Sequence, residues 1–161
     1  MANLENHSVN PKTVFWGIIF TILISGLFYF MMNQLRQKET YVSLNKNIKI
    51  TVELAQTEAE QYQGLSGRKS LCQNCGMLFL WSEAAPRDFV MRDMNFPLDI
   101  IFIADQKIVK IDGNLLPEKG EALTNYNSDV PVNYVLEVNG GLTDRYGVEV
   151  GDEAIVNIPK K

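Results

Sequence analysis

From Val14 to Met32 the chain reads VFWGIIFTILISGLFYFMM, 19 residues without a charge. At the rise of an α-helix this stretch reaches about 28 Å, close to the hydrocarbon thickness of a bilayer. Its interruptions, Gly17, Thr21, Ser25 and Gly26, are residues that membrane helices tolerate, and the pattern predicts a transmembrane helix over 14–32. Trp16 and Tyr29 lie near its ends, where amphipathic rings favour the headgroup level. A signal sequence has a shorter apolar region, followed by a small-x-small cleavage site. Asn33, Gln34, Leu35 and Arg36 offer no such site, so a retained anchor is expected. The lipid bilayer is thus the first expected partner, reached through Val14–Met32. Lys12 and the terminal amine on one side and Arg36 and Lys38 on the other leave the positive-inside count nearly balanced. The domain behind a single N-terminal anchor is expected outside the cytoplasmic membrane, with residues 1–13 as an inner tail.

Beyond the apolar run the rhythm changes. Residues 33–47 are polar and charged and read as a tether. Folding is expected to begin near Ile48, where Ile48, Ile50, Val52 and Leu54 alternate with Lys49, Thr51 and Glu53, the period of a half-buried strand. Thr57 and Glu60 make a T-x-x-E capping box and Gly64 stands at a helix C-terminus, which predicts a short helix over 58–63. Further strands are expected at 76–81, 88–92, 98–104, 107–112, 132–138 and 154–158, with Asp105-Gln106 as a tight hairpin link. Turns are expected at Asn139-Gly140-Gly141 and Val150-Gly151-Asp152. Residues 113–131 show no clear period, and a segment of that length is usually functional or a surface meander. Several strands are apolar on both faces, too much so for an open sheet. The expected fold is mostly β: a small closed or half-closed β-barrel-like domain over 48–161 with one short helix, preceded by the transmembrane helix.

Length agrees with one domain plus an appendage in 161 residues. The sole histidine, His7, lies in the first ten residues, so the domain holds no imidazole for a nucleophilic triad or a histidine metal site. From Tyr41 onward 12 Lys+Arg stand against 17 Asp+Glu, a balance of −5, which opposes the basic footprint of a nucleic-acid binder.

The two cysteines, Cys72 and Cys75, form a C-x-x-C in LCQNCGMLFLW. Cys75 leads into a glycine and a strand-like run, so a thiolate has no helix N-terminus to lower its pKa, and tetrahedral zinc lacks half its ligands. A disulfide stapling the turn is the expected reading, and it requires an oxidising compartment. Soft Cu(I) held by Cys72, Cys75, Met77, Met91 and Met94, or a thiol redox couple, stays open as an alternative. Met77 and Met91 also alternate with apolar neighbours, as core residues do.

Charges inside strand patterns carry more information. Asp99 opens LDIIFI on the face of Ile101 and Ile103, and Glu137 in VNYVLEVN lies on the face of Asn133, Val135 and Asn139. A buried carboxylate needs a partner, and Arg68, in GLSGR, is placed to offer a bidentate one to either. The result is a salt-bridged barrel mouth or a ligand pocket built from the same residues.

The succession GLSGR, GMLF, F-V-M, PLDIIFIADQKIVKI, YVLEVNGG and V-G-D resembles the prokaryotic family called domain of unknown function 192, over about Val52 to Ile158. The resemblance implies a small β-barrel-like domain, often exported or tethered, with no assigned activity. By motif it marks Arg68, Gly76, Met77, Phe79, Met91, Asp99, Glu137, Gly151 and Asp152. Val90 stands where the family usually has Trp, and Asp93-Met94 where it usually has Asn-Thr; the C-x-x-C lies outside the general pattern. Arg68, Met77, Met91, Asp99, Glu137 and Asp152 together make the candidate pocket. No cofactor is called for. The leading expectation is a non-catalytic module that binds a small polar ligand or an envelope protein. Its rival is a carboxylate-based hydrolase of an envelope glycan, which needs two carboxyl groups about 5–9.5 Å apart.

Overall fold

The structure is a computed structural model, and it describes residues 11–36, 39–118, 120 and 122–159. It divides into two compact units, 1–39 and 40–161. In the first unit, helix α1 (Pro11–Arg36) contains the apolar run Val14–Met32, which is long and apolar enough to cross a membrane and is unburied along its length. Pro11 opens the helix at a position whose N–H has no intrahelical partner. The hydroxyl of Thr21 donates back to the carbonyls of Gly17 and Ile18, and that of Ser25 to Ile22, so both are satisfied inside the helix, as a lipid environment demands. The expected tail lies almost wholly outside the described residues, as do tether residues Gln37 and Lys38.

In the second unit the chain runs β1 (Tyr41–Leu44), β2 (Ile48–Ala55), α2 (Glu58–Gln63), β3 (Cys75–Ala85), β4 (Asp88–Phe89), β5 (Leu98–Ala104), β6 (Lys107–Leu115), β7 (Tyr126–Asn127), β8 (Val132–Asn139), α3 (Leu142–Tyr146) and β9 (Ala154–Asn157). Seven strands form one curled sheet in the order β6-β5-β8-β3-β2-β1-β9, and β4 pairs with β7 in a separate ribbon. Within the large sheet β2 and β3 are parallel and the other neighbours antiparallel. A parallel pair needs a crossover, and α2 with the loop after it supplies that connection. At one end the edges meet: Gly151 N–H donates to Ile108, Ile108 N–H to Asp152 and Ala154 N–H to Gln106, beside a bridge between Lys107 and Glu153. The sheet is a half-barrel of the expected mostly β class.

Burial on both faces explains the strands without alternation. Leu78, Ile101, Ile103, Leu136 and Val138 join Val42, Leu44, Ile50 and Val52 in one core. Their strand neighbours Met77, Phe79, Leu98, Ile100, Phe102 and Val135 face the other way, into a second core with Leu65, Met91 and Met94. The central strands β5, β8 and β3 thus separate two apolar layers, and LDIIFIA is buried from Leu98 through Ile103. At Gly76 β3 runs so close to β8 that a Cβ there would lie 2.7 Å from the Glu137 carbonyl oxygen.

The helix at 58–63 carries both arms of its capping box between Thr57 and Glu60. The link Asp105-Gln106 has φ of 48° and 62°, the pair of positive values that a two-residue hairpin turn requires. Folding starts earlier than Ile48: β1 lies inside the stretch read as a tether and pairs with both β2 and β9. Only Val42 and Leu44 of YVSL are buried, too short a pattern to stand out between polar neighbours. The strand expected over 88–92 keeps two residues in ladder pairing, opposite Tyr126 and Asn127 of the segment that lacked a period. After Gly140, α3 adds a helical turn whose N-cap, Gly141, has no side chain to cap it.

Candidate functional site

Asp99, Arg68 and Asp152 each have hydrogen-bond partners of their own. Asp99 is fully buried, and its carboxylate accepts from the N–H groups of Asn114, Gly141 and Thr143 and from the Thr143 hydroxyl, at 2.7–2.8 Å. The missing cap of α3 is therefore supplied from β5, and Asp99 has a structural task. Arg68 pairs with Glu53 of β2, Nη1 to Oε1 at 2.6 Å and Nη2 to Oε2 at 2.8 Å. That bond raises the pKa of Arg68 and lowers that of Glu53. Asp152 accepts from the Asn45 amide at 2.5 Å and the Glu149 N–H at 2.8 Å, and so ties the turn before β9 to the β1–β2 turn.

Register explains why Asp99 and Glu137 do not meet. Glu137 stands opposite Ile100 on β5 and Met77 on β3, both in the second core. Asp99 precedes Ile100 by one residue and so projects from the opposite face of the sheet. Asp99 is thus on the other sheet face from Glu137, whereas Glu53, the partner of Arg68, stands opposite Met77 and so shares the face of Glu137. Each carboxylate but Glu137 is engaged by hydrogen bonds of its own. Met77 and Met91, with Met94, are buried in the second core, where Met77 adjoins Glu137 across the β3–β8 ladder. Cys72 and Cys75 are joined to each other, with Cα atoms 5.1 Å apart, at the start of β3. Asn139 holds that turn through a 2.8 Å bond to the Cys72 carbonyl.

Glu137 remains as a different kind of group. It is 5% exposed, its Oε2 has no hydrogen-bond partner, and burial pushes its carboxyl up to about 8, so it is neutral at pH 7. It lies on the wall of a cleft of about 350 Å³ between α2 with its following loop and the segment 86–94. Phe79 and Trp81 stack at 6.5 Å along β3, and Phe89 meets Phe79 edge-on at 4.9 Å. The β3–β8 register shifts between Leu80 and Ala85, and such irregularities re-aim side chains beside functional sites. Gln61 links the helix to this wall by accepting from the Trp81 indole at 2.9 Å and donating to the Leu80 carbonyl at 3.1 Å.

Gly64 closes the helix and brings the backbone close to the same wall. With φ 48° and ψ −134° it adopts a conformation open to glycine, and a Cβ there would lie 3.3 Å from Phe79 and 3.9 Å from Glu137 Oε2. Two guanidinium groups flank the cleft: Arg87 lies 4.1 Å over the Trp81 ring and Arg92 lies 4.0 Å over Tyr62. The carboxylate of Asp88 is held by the amides of Asn127 at 2.6 Å and Asn125 at 2.8 Å, which lower its pKa.

Of the residues marked in the sequence, Phe79 and Glu137 line this cleft, with Met94 of the alternative copper set. Tyr62, Gly64, Trp81, Arg87, Phe89 and Arg92 were not marked. The available signal was Phe79 and Trp81 at strand spacing ahead of an Arg-Asp-Phe and a second Arg within 87–92.

Residues 40–156 match the family model described as Uncharacterized ACR, domain of unknown function 192, and the chain belongs to that family. Two crystal structures are similar to it. One is a protein from Sinorhizobium meliloti 1021 described as a proposed transcription regulator, with 35% identity, TM-score 0.68, and 73% of this chain and 93% of that chain covered. The other, a protein of unknown function from Novosphingobium aromaticivorans DSM 12444, shows 35% identity and TM-score 0.66 over 71% of this chain and 83% of that one. No curated protein matches. The comparisons establish a family without an assigned function, so the site's chemistry must carry any reading.

Proposed function

We propose that this chain is a membrane-tethered, non-catalytic binding module whose domain lies on the extracytoplasmic side and whose ligand seat is the cleft beside Glu137. The observation that carries the reading is the buried Glu137 carboxyl with an unpartnered Oε2 on an aromatic wall. An unpaired buried carboxyl costs folding free energy, and such costs are concentrated at functional sites. The apolar helix supports the tether, and a Cys72–Cys75 disulfide fits an oxidising compartment. A glycan hydrolase finds less support, because Asp99 projects from the other face and Asp88 is engaged by two asparagines. The regulator description of the Sinorhizobium meliloti protein would point to nucleic acid, which the domain's balance of −5 does not favour.

Two experiments test the two halves. A C-terminal fusion to a reporter active only outside the cytoplasm should be active; strong activity of a cytoplasm-only reporter would overturn the orientation. For the seat, nuclear magnetic resonance of the full chain in detergent with a library of small polar fragments should yield compounds that move the Trp81 indole and the Gly64 and Phe89 amide signals together. A library that moves none of these signals would overturn the seat.

A further inference from the structure

We propose that the seat takes a small carboxylate with a flat apolar body, the body against the aromatic wall beside Phe89 and the anionic end within the cleft that Arg87, Arg92 and Glu137 line. This rests on the reading of the cleft as a ligand seat and adds the chemical class of its occupant.

Charge gives the first reason. Arg87 uses Nη2 on the Glu83 carbonyl at 2.8 Å, while its Nε is buried without a partner. Arg92 donates to the Tyr62 carbonyl. Among the described residues neither guanidinium forms an ion pair. Asp88 is the cleft's ionised carboxylate at pH 7, and its two asparagines occupy one of its oxygens. Two cations against one anion make a positive spot on a domain whose balance is −5. A cationic ligand would meet both guanidiniums, and a neutral one would leave them unmatched on desolvation. A planar fork that recognises a carboxylate by paired hydrogen bonds fits an anion of that shape.

Glu137 gives the second reason. A neutral carboxyl has one hydrogen to donate, and a ligand carboxylate is a strong acceptor for it, so the two share a proton as paired carboxyl groups do. The cleft's other titratable and charged lining groups are Tyr62 of α2 and Arg87, Asp88 and Arg92 of the segment 86–94. Ionisation of Glu137 places a second negative charge against the ligand's own. The third reason is shape: Phe79 and Trp81 lie within 18° of parallel with Phe89 edge-on to both, and a volume of about 350 Å³ suits a small molecule.

The test uses the full chain in detergent with Trp16→Phe, which leaves Trp81 as its sole tryptophan. Its fluorescence is titrated with benzoate, benzamide, benzylamine and phenyl phosphate. Benzoate should bind saturably, about tenfold or more tighter than benzamide or benzylamine. Arg87→Gln and Arg92→Gln should each weaken benzoate about tenfold, with circular dichroism unchanged. Raising the pH from 7 to 9 should weaken it about tenfold further, and Glu137→Gln should remove that dependence. Equal affinity for benzoate and benzamide would overturn the anionic class while leaving the seat in place. Phenyl phosphate bound tenfold tighter than benzoate would overturn the carboxylate. If these four probes fail but library fragments still move the Trp81, Gly64 and Phe89 signals, the class falls and the seat stands; if the fragments fail as well, both fall.

Discussion

Replacing Glu137 by Gln should change the pH dependence of stability in a way set by the burial of that one carboxyl. The folded protein holds the Glu137 proton up to about pH 8 because burial disfavours the charge, whereas the unfolded chain releases it near 4.5. Between those values the folded state binds one more proton than the unfolded state, so the Glu137 contribution falls as pH rises, by about 1.4 kcal/mol per pH unit. It is flat below about 4.5 and above about 8. Glutamine has nearly the same shape and no titration, and the remaining charged groups cancel in the difference between the two proteins. From pH 5.0 to pH 7.5 the variant should therefore gain about 3 kcal/mol relative to the parent. Urea unfolding of both full-length proteins in detergent, each carrying Trp16→Phe and followed by Trp81 fluorescence, reads this directly. At a slope of about 1–3 kcal/mol per molar urea, the midpoint difference should move by about 1–3 M over that range. A constant difference from pH 5.0 to 7.5 would show that Glu137 titrates as an ordinary surface carboxyl, and would refute its desolvation on the cleft wall.

Asp99→Ala should destabilise by about 3–5 kcal/mol, since it leaves three buried N–H groups and the Thr143 hydroxyl without their acceptor; thermal unfolding checks this. Cys72→Ser with Cys75→Ser should lower stability by about 2 kcal/mol, the chain-entropy value for so short a loop, and leave the far-ultraviolet circular dichroism intact. Gly64→Ala should cost about 1–3 kcal/mol in chemical denaturation, because alanine meets both the backbone strain and the Phe79 ring.

The strands with a strong period or strong punctuation were legible in the chain. The hairpin at Asp105-Gln106 and the capping box at Thr57 and Glu60 are local devices, each fixed by residues adjacent in sequence. β1 was hidden because four residues carry too little pattern, and α3 because its cap comes from Asp99, 42 residues ahead of Gly141. Both carboxylates were correctly placed on their own strand faces. What no single strand reveals is which faces coincide, and the register Ile100 opposite Glu137 puts them on opposite sides. Arg68 lies close enough in sequence pattern to serve either, yet its partner is Glu53, an exposed residue of β2. The cleft itself joins α2, β3, β4 and β8 through contacts distant in sequence, so its aromatic wall and two arginines had no local signature beyond their residue types.

The most direct test of the central claim, that a ligand is held beside Glu137, is the measurement of intermolecular nuclear Overhauser effects between benzoate ring protons and the protein. The account predicts effects to the side chains of Trp81 and Phe89, reached in Arg92→Gln only at about tenfold higher benzoate concentration. Effects to residues remote from the cleft, such as Leu71 and Leu142, with none to Trp81 or Phe89, would contradict it.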